Sequence, residues 1–379
     1  MNPEVKTQIE KLIQIAQDPK KAVTGYIAST GKKAVGCFPI YTPEELVYAA
    51  GALPVGMWGG KRTGSLADKY LQTFCCSIMK ANTEQSLAGD YDMLSAVIVT
   101  AYCDTLKCVT ENWKVSVPHL NIVPMVYPQN RKQKSGQIFF EEELRRVKGE
   151  LEKKLDVKIT DEDIEDALKV YEDYRAAMRE FTDMIVEYPV TFDAATRHQV
   201  IKAAYFMDKK EYTEMIRHIM SDLKNEPSEK VTKPLKKVIL TGLLAEPVEM
   251  LELFTENGLQ VVADDLAQES RQFRVPAPEG EDCYKRMAGR LAGQDGCTFL
   301  YDYGKCRSHI LADMKEKYSA DAIVFCQLKF CDPDEFDYPI VKEDMESAGI
   351  PMLMIEFEQQ MESVGQLRTR IQSFAEMLD

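Results

Sequence analysis

The amino-acid sequence predicts an α/β protein in which two open parallel sheets are joined by a helical connecting region. Three observations indicate this class. Short apolar strands alternate with amphipathic helices at both ends of the 379-residue chain, which is the pattern of parallel βαβ units. Between them, from Lys132 to about Asn225, charges are dense and apolar residues recur at spacings of three and four, as in helices. The two α/β stretches also resemble each other.

The first α/β stretch follows a charged amphipathic helix predicted over residues 1–16. Its predicted strands are Lys33–Pro39, Leu53–Met57, Ala96–Thr100 and Leu120–Met125. Pro43, followed by two glutamates, predicts a helix that begins there and ends at Gly51. A second helix is predicted over Asp104 to Lys114. Together these elements form a first predicted domain, residues 1–130.

The remainder of the chain is predicted to form a helical cover or connector and a second α/β domain. The connector comprises residues 131–232, and the second domain comprises residues 233–379. Predicted strands of the second domain are Lys237–Thr241, Leu259–Ala263, Ala322–Cys326 and Met352–Ile355, with helices at Val248–Asn257 and Gln359–Leu378. Two histidines of the connector, His198 and His218, are predicted to lie on the surface.

An internal repeat links the two α/β stretches. A Lys-Lys pair begins each one, and a proline follows ten residues after Lys33 in the first and ten after Lys237 in the second. A Cys-Asp pair lies shortly after an apolar strand in both, at Cys103 and at Cys331. A βαβ pattern alone recurs in many proteins, but a Cys-Asp pair at the same position after a strand in both stretches is more specific. We therefore expect two similar open α/β domains that face each other.

The acidic balance of the chain excludes some classes of partner. There are 47 Lys and Arg residues against 61 Asp and Glu residues, and the formal net charge is −14. No strong positive field is available to attract a phosphate backbone, so we expect no nucleic acid partner. No apolar run reaches the roughly 18 residues that a membrane span needs, and the N-terminus is unlike a signal peptide. We expect a cytoplasmic protein with no membrane segment.

Ten cysteines are the feature of the composition that needs a chemical explanation. They are Cys37, Cys75, Cys76, Cys103, Cys108, Cys283, Cys297, Cys306, Cys326 and Cys331. A reducing compartment disfavours a disulfide framework, which leaves core packing, metal binding or nucleophilic chemistry. For any one cysteine, core packing is the commoner explanation.

Some of these cysteines occupy positions where ligands bind in parallel sheets. Cys103 and Cys331 follow predicted strands and precede predicted helices, and Cys75-Cys76 precedes another helical pattern. Ligands of open parallel sheets bind beyond the carboxyl ends of the strands, and helix N-termini favour thiolates. Three thiolates that converge there would suit a metal or an iron–sulfur cluster. The spacing alone is not sufficient, because the chain has no CxxC pair and no ferredoxin-type run.

Other sequence motifs of binding are few. The glycine-rich segment with Gly56, Gly59, Gly60 and Gly64 also contains basic residues, and it is either a phosphate-binding loop or a flexible surface loop. The chain has no GxxxxGK[ST] loop, no HExxH and no GxSxG motif. We therefore expect no ATP binding through a P-loop.

Several segments, taken together and in order, resemble the 2-hydroxyacyl-CoA dehydratase family, which includes the related benzoyl-CoA reductases. They are YTPEELVYAAGALP from Tyr41, Cys76-Ser77, AYCDTLKCVTENW around Cys103, KFCDPDEFDYP around Cys331 and GIPMLMIE before Phe357. The resemblance covers nearly the whole chain. Its length and its two cysteine segments are most similar to the smaller, beta subunit of the 2-hydroxyglutaryl-specific enzymes.

The resemblance implies a fold, cofactors and partners. It implies two flavodoxin-like domains and a 4Fe–4S cluster held by three cysteines, which match Cys76, Cys103 and Cys331 here. Cys75 and Cys326 stay open as alternatives to the first and third. Some members also carry a flavin, so FMN is a possible second cofactor. The implied partners are a homologous alpha subunit in a heterodimer, a separate ATP-dependent iron–sulfur activator protein and an acyl-CoA substrate.

The implied reaction is the removal of water from a 2-hydroxyacyl-CoA to give the 2-enoyl-CoA. The β-hydrogen of the substrate is not acidic, so the family uses one strongly reducing electron from the activator. The thioester becomes a ketyl radical anion that expels hydroxide, after which the β-hydrogen is acidic and the electron is returned. The resemblance favours (R)-2-hydroxyglutaryl-CoA as substrate and glutaconyl-CoA as product, with phenyllactyl or hydroxyisocaproyl groups as alternatives.

Three further interpretations compete with an iron–sulfur lyase subunit. The chain is a non-catalytic electron-relay partner subunit, a benzoyl-CoA reductase-type subunit, or a flavodoxin-like small-molecule binder whose cysteines only fill the core. Catalytic residues in the strict sense cannot be named from the sequence.

Overall fold

Two four-stranded sheets, each with all strands parallel, form the framework of the protein. A computed structural model describes residues 3–378. The strands of the first sheet are β1 (Ala34–Cys37), β2 (Leu53–Gly56), β3 (Ala96–Thr100) and β4 (Ile122–Met125). Those of the second sheet are β5 (Lys236–Gly242), β6 (Leu259–Leu266), β7 (Ala322–Leu328) and β8 (Met352–Phe357).

The strand order is the same in both sheets. It is β2-β1-β3-β4 in the first and β6-β5-β7-β8 in the second. In each sheet the second strand therefore pairs on one side of the first strand. The third strand pairs on its other side, and the fourth strand is added next to the third. This order confirms the predicted fold class of two open, parallel, flavodoxin-like sheets, and it gives the sequence repeat a structural basis.

Fifteen helices are found among residues 3–378. Those before and within the first sheet are α1 (Pro3–Gln17), α2 (Pro19–Thr30), α3 (Glu44–Ala49), α4 (Ser77–Leu87) and α5 (Asp104–Ser116). The connecting helices are α6 (Lys134–Leu155), α7 (Asp161–Met184), α8 (Ala194–Ala203) and α9 (Lys209–Leu223). Those of the last third are α10 (Val248–Glu256), α11 (Ser270–Phe273), α12 (Cys283–Ala292), α13 (Arg307–Tyr318), α14 (Asp332–Ser347) and α15 (Gly365–Met377). None of these is long and apolar enough to cross a bilayer.

Local signals explain where many elements begin and end. Strands β3 and β7 are apolar and buried on both faces, as expected for inner strands of a covered parallel sheet. Helix α7 begins with a capping box, in which Thr160 and Asp163 satisfy each other's backbone N–H groups. Helix α2 ends at Gly31, whose φ of 68° lies in the left-handed region that glycine adopts without strain.

The apolar cores do not follow the three predicted segments. One continuous core contains residues of both sheets, whereas a second is built by the connecting helices α7, α8 and α9. The buried face of α1, with Val5, Ile9 and Leu12, belongs to this second core. The first helix therefore packs on the connecting helices, although its sequence position lies in the first predicted domain. The boundaries of independently folding units stay a prediction.

The ends of some elements differ from expectation. The final helix begins at Gly365 and not at Gln359, because residues 359–364 form a loop that returns to the first sheet. Helices α12 and α13 have no counterpart among the predicted elements. The apolar residues of α12, among them Tyr284, Met287 and Leu291, recur at helical spacing, so this helix was predictable from the sequence. Helix α13 has no such spacing, and Leu311 is its one buried apolar residue.

The prediction that His198 lies on the surface is wrong. The side chain is 1% exposed and lies between two buried carboxylates, with Nδ1 at 2.8 Å from Glu269 and Nε2 at 3.3 Å from Glu246. Lys202 and Arg197, from the same helix α8, also bind carboxylates of this group. Helical periodicity could not reveal this, because the carboxylates come from the second sheet. His218, by contrast, is exposed as predicted.

One buried glutamine, Gln359, is hydrogen-bonded to residues of both α/β halves. Gln359 follows β8, and its Nε2 donates to the carbonyl of Trp58 at 2.8 Å and to Glu246 at 2.7 Å. Its backbone N–H donates to the hydroxyl of Ser77 at 3.2 Å. The loop after β2, the start of α4 and the second sheet therefore meet at a single side chain that is 1% exposed.

Replacing His198 with Gln tests the charge of this buried group. Burial alone would lower the pKa of His198, but hydrogen bonds to Glu246 and Glu269 and their charges raise it above its ordinary range. A raised pKa in the folded state gives stability that is present below about pH 6.5 and is lost as the pH rises through the raised value. His198→Gln should therefore cost about 3 kcal/mol at acidic pH and less at alkaline pH.

The measurement is the midpoint of thermal unfolding of the wild-type protein and of His198→Gln, from acidic to alkaline pH. His218→Gln is the matched control, since an exposed histidine should change the stability by less than about 0.5 kcal/mol. A His198→Gln effect that does not shrink at alkaline pH would contradict a charged imidazole at this position.

Candidate functional site

The candidate site is a pocket between the two sheets, which we call the cysteine pocket. It is lined by Pro39, Ile40, Cys76, Ile78, Met79, Cys103, Thr105, Leu106, Leu243, Phe299, Phe330, Cys331, Asp332 and Pro333. It encloses about 490 Å³ of empty space, part of which is open to solvent. Its walls are mostly apolar, and the exceptions are Thr105, Asp332 and the three cysteines.

The pocket occupies the position that parallel sheets offer to ligands. Pro39 follows β1 and Cys103 follows β3, while Leu243 follows β5 and Cys331 follows β7. In each sheet these are the two neighbouring inner strands between which the order of connections reverses. The carboxyl ends of such strands open a crevice because their connections leave in opposite directions. The pocket joins the crevices of both sheets.

Each of the three predicted cysteines is the N-cap of a different helix. Cys76 precedes α4, Cys103 precedes α5 and Cys331 precedes α14. The sulfur of Cys103 accepts a hydrogen bond from the backbone N–H of Leu106 at 3.4 Å. The first turns of all three helices therefore line the pocket, and the start of a helix has backbone N–H groups without an acceptor inside the helix. Such groups favour negative charge on a thiolate or a bound cluster.

The loop before Cys331 is held in an unusual backbone conformation. Phe330 has a φ of 64°, which non-glycine residues seldom adopt. Its N–H donates to the Glu335 carboxylate at 3.0 Å, from the first turn of α14. This contact turns the chain sharply out of β7, so Cys331 reaches the pocket instead of continuing the strand.

Burial disfavours the thiolate form of the cysteines that line the pocket. Burial raises the pKa of Cys76 to about 12, and the N–H groups of Met79 and Ile78 act in the opposite direction. Burial also raises the pKa of Cys331 well above its usual range, and the charge of Asp334 and the neighbouring Cys76 add to this. Binding of a metal would have to displace these protons, as metal ligation by cysteine generally does.

The other cysteines do not line the pocket. Cys75, although next to Cys76, is absent from its walls, and so is Cys326, which is fully buried within β7. Cys297 lies in the core with its sulfur 3.6 Å from Nη1 of Arg271, and Cys108 is exposed on α5. All ten cysteines are free thiols. Of the pairs left open by the sequence, the structure places Cys76 and Cys331 at the pocket.

The donor set of the cysteine pocket consists of three thiols. Among residues 3–378, no three Cys, His, Asp or Glu side chains form a group that could hold one metal ion. In a 4Fe–4S cluster each thiolate binds a different iron, so its cysteines are farther apart than ligands of one ion. Cys76, Cys103 and Cys331 would provide three such thiolates from one pocket.

Behind Cys331 lies a buried ionic group that sequence reasoning missed, which we call the Arg307 cluster. The guanidinium of Arg307 is almost fully buried and donates to Asp334 and Asp337 of α14, each at 3.0 Å. It also donates to Thr241 at the end of β5, at 2.9 Å. These residues are far apart in the sequence. Because the helix that begins with Arg307 was not predicted, nothing in the sequence indicated that this arginine would meet them. The cluster ties the first turn of α14 to the second sheet.

The glycine-rich segment lines a different and larger space, which we call the large cavity. The cavity holds about 1590 Å³ of empty space, including open solvent, and it borders Trp58, Gly59 and Gly60. The basic residues of the loop are already engaged, because Lys61 pairs with Glu249 and Arg62 pairs with Asp90. Both basic side chains thus have carboxylate partners, and the two alternatives for this loop, phosphate binding or a flexible surface loop, stay predictions.

Comparison with known proteins gives consistent relatives. A family model described as 2-hydroxyglutaryl-CoA dehydratase, D-component, matches residues 39–378. The chain is 42% identical to the (R)-phenyllactyl-CoA dehydratase beta subunit of Clostridium sporogenes over 96% of both chains, and 43% identical to the lactoyl-CoA dehydratase beta subunit of Anaerotignum propionicum over 99% of both. It is 36% identical to the (R)-2-hydroxyglutaryl-CoA dehydratase beta subunit of Acidaminococcus fermentans over 98% of both. A benzoyl-CoA reductase subunit of Thauera aromatica is more distant, at 21% identity over 93% of this chain and 92% of the relative.

Thiol labelling of the metal-free chain tests the burial of the cysteines. Cys108 is exposed, whereas Cys326 is fully buried and its pKa is strongly raised by burial. Because the reactive species is an accessible thiolate, iodoacetamide should modify Cys108 first and Cys326 only after unfolding. Mass spectrometry of peptides after timed labelling measures the order. Modification of Cys326 in the folded chain at a rate near that of Cys108 would contradict this placement.

Proposed function

The chain belongs to the 2-hydroxyglutaryl-CoA dehydratase D-component family, and we propose that it is the iron–sulfur beta-type subunit of a heterodimeric 2-hydroxyacyl-CoA dehydratase. The proposed cofactor is a 4Fe–4S cluster held by Cys76, Cys103 and Cys331. The proposed setting is the reducing cytoplasm, in keeping with ten free thiols.

One observation supports this more than any other. Three cysteines from two separate sheets, each the N-cap of its own helix, line one pocket. A core-packing role explains the burial of a single cysteine, but it gives no reason for three to meet at the switch points of both sheets. The interpretation of the chain as a small-molecule binder with inert cysteines lacks such a reason.

The chain's own residues would bind the cluster and control what surrounds it. When bound, a cluster of this kind supplies one strongly reducing electron for the activation of a thioester. The N–H groups of the three helix starts would stabilise its negative charge. Apolar side chains such as Ile78, Leu106 and Phe299 would exclude water and oxidants from the pocket.

The acyl group of the substrate is proposed only as a class. The three dehydratase relatives are named for phenyllactyl, lactoyl and 2-hydroxyglutaryl groups, at 42%, 43% and 36% identity. The cysteine pocket has no Lys, Arg or His in its lining, so it offers no cation for the second carboxylate of a glutaryl group. If the acyl chain enters this subunit, the pocket favours a compact or apolar 2-hydroxyacyl group. A 2-hydroxyglutaryl group would instead have to bind in a pocket of the partner subunit.

The partner subunit would cover apolar side chains that flank the pocket residues in the sequence. Phe74, two residues before Cys76, is 65% exposed, and Phe336, five residues after Cys331, is 81% exposed. Tyr303 is 91% exposed. Large exposed aromatic side chains are typical of protein interfaces. In one form of this proposal, the chain itself does not bind substrate. It would instead pass electrons to a homologous alpha subunit across this surface.

An FMN, if this member carries one, would occupy the large cavity and not the cysteine pocket. The large cavity has about three times the empty space, about 1590 Å³ against 490 Å³. Aromatic side chains of Trp58 and Tyr91 border it. Fluorescence of the supernatant after acid denaturation measures any released flavin.

Serine substitutions at the three cysteines test the cluster. Cys76→Ser, Cys103→Ser and Cys331→Ser should each lower the iron and sulfide content of anaerobically purified protein from about four per chain, since each removes one ligand. Serine is a good N-cap, so the helices and the far-ultraviolet circular dichroism should be retained. Iron and sulfide assays with a Mössbauer spectrum provide the readout.

Neighbouring cysteines provide matched controls for this test. Cys75→Ser changes the adjacent residue, and Cys326→Ala changes the cysteine of β7 without adding a buried hydroxyl. Both should keep the full iron content. If Cys331→Ser kept its iron while Cys326→Ala lost it, the proposed ligand set would be wrong. A wild-type protein without iron or sulfide would refute the cluster itself.

A reconstitution experiment tests the proposed partners. The isolated chain should bind no ATP and dehydrate no 2-hydroxyacyl-CoA, because it has no P-loop and lacks its homologous subunit. Adding a homologous alpha subunit, an activator, ATP and a low-potential reductant should restore turnover. The assay follows 2-enoyl-CoA by chromatography with phenyllactyl-, lactoyl- and 2-hydroxyglutaryl-CoA. Turnover by the purified single chain would contradict the heterodimer.

A further inference from the structure

A buried carboxylate beside one of the proposed cluster ligands has no cation of its own. Asp334 is fully buried and lies three residues after Cys331. One of its oxygens accepts from Nη1 of Arg307 at 3.0 Å. Its other oxygen, Oδ2, has no hydrogen-bond partner among residues 3–378. A half-satisfied carboxylate at such a depth is costly, so its presence needs an explanation.

The single arginine near Asp334 is shared. The same Nη1 of Arg307 also donates to Asp337 at 3.0 Å, while the opposite side of the guanidinium faces Thr241 and Asp265. Asp265 is satisfied separately by Arg271 and Arg274. The negative charge of Asp334 is therefore only partly compensated, and burial leaves it little screened by solvent.

This charge disfavours a thiolate at the cysteine. Asp334 lies in the first turn of α14, the helix that Cys331 caps. Besides burial, the charge of its carboxylate raises the pKa of the Cys331 thiol. An added electron increases the negative charge of an iron–sulfur cluster. A fixed negative charge beside a ligand therefore makes reduction harder and lowers the reduction potential.

We propose that Asp334 lowers the reduction potential of the cluster that Cys331 helps to hold, so that the electron it carries is strongly reducing. This inference rests on the proposed iron–sulfur function. Asp334 acts through Cys331 and not through contact with substrate. Arg307 fixes the position of the buried carboxylate, and it stabilises the first turn of α14.

Asp334→Asn removes the charge and keeps the shape. The amide oxygen can still accept from Arg307. Asp337→Asn is the matched control, because it neutralises a carboxylate on the same Nη1 one helical turn farther from the cysteine. The readout is a potentiometric titration of the anaerobic protein followed by visible absorption and electron paramagnetic resonance. Iron content and circular dichroism are measured on the same samples.

At the midpoint potential of the wild type, Asp334→Asn should raise the ratio of reduced to oxidised cluster about tenfold, which for one electron is about 59 mV. Asp337→Asn should stay near the wild-type ratio. An unchanged potential in Asp334→Asn with full iron, or an equal shift in Asp337→Asn, would overturn the inference and leave the cluster proposal standing. A wild-type protein without a cluster would instead refute the proposed function.

A second variant covers the case in which the amide is not tolerated. Asp334→Ser removes the same charge and leaves a hydroxyl that can accept from Arg307, so it should show the same direction of shift. If both variants fold but lose the cluster, Asp334 holds the cluster in place and does not set its potential. If neither variant folds, its role is structural. Both outcomes would overturn the inference.

Discussion

The central physical requirement of this structure is that sulfur atoms from two separate sheets meet in one pocket. Cys76 and Cys103 follow elements of the first sheet, and Cys331 follows the second. A small rotation of one half against the other would separate the third sulfur from the first two. Such a site therefore requires that the two halves be fixed with respect to each other, and several features of the fold serve this requirement.

Apolar burial joins the halves, while polar contacts define how they meet. The continuous core across both sheets supplies most of the stabilisation, but apolar packing tolerates small shifts. Hydrogen bonds do not, because they need particular distances and directions. Gln359 binds Trp58, Glu246 and Ser77 at once, and Ser77 is the residue after Cys76. The buried charges around His198 extend this contact to the connecting helices.

Buried charge has a different role on the other side of the pocket. The Arg307 cluster fixes the start of α14, and hence Cys331, against the ends of the strands of the second sheet. Burying ion pairs is seldom the most stable solution, since well-packed apolar residues often do as well. What apolar residues cannot provide is a fixed charge near the pocket. This connects the architecture of the second sheet with the electrostatics of the site.

Local sequence patterns were enough to predict the two parallel sheets and the helical connector, because strands, helices and caps depend on neighbouring residues. Cys103 and Cys331 could be recognised from a strand before and a helix after them, whereas the choice of Cys76 came from the family resemblance. The packing of distant segments was needed to show that Cys76 and not Cys75 lines the pocket, that α1 packs on the connecting helices, and that His198 is buried. It also revealed Arg307 and Gln359, whose partners lie tens to hundreds of residues away. Periodicity reports which face of an element is apolar, but it carries no information on which distant side chain will meet a given polar one.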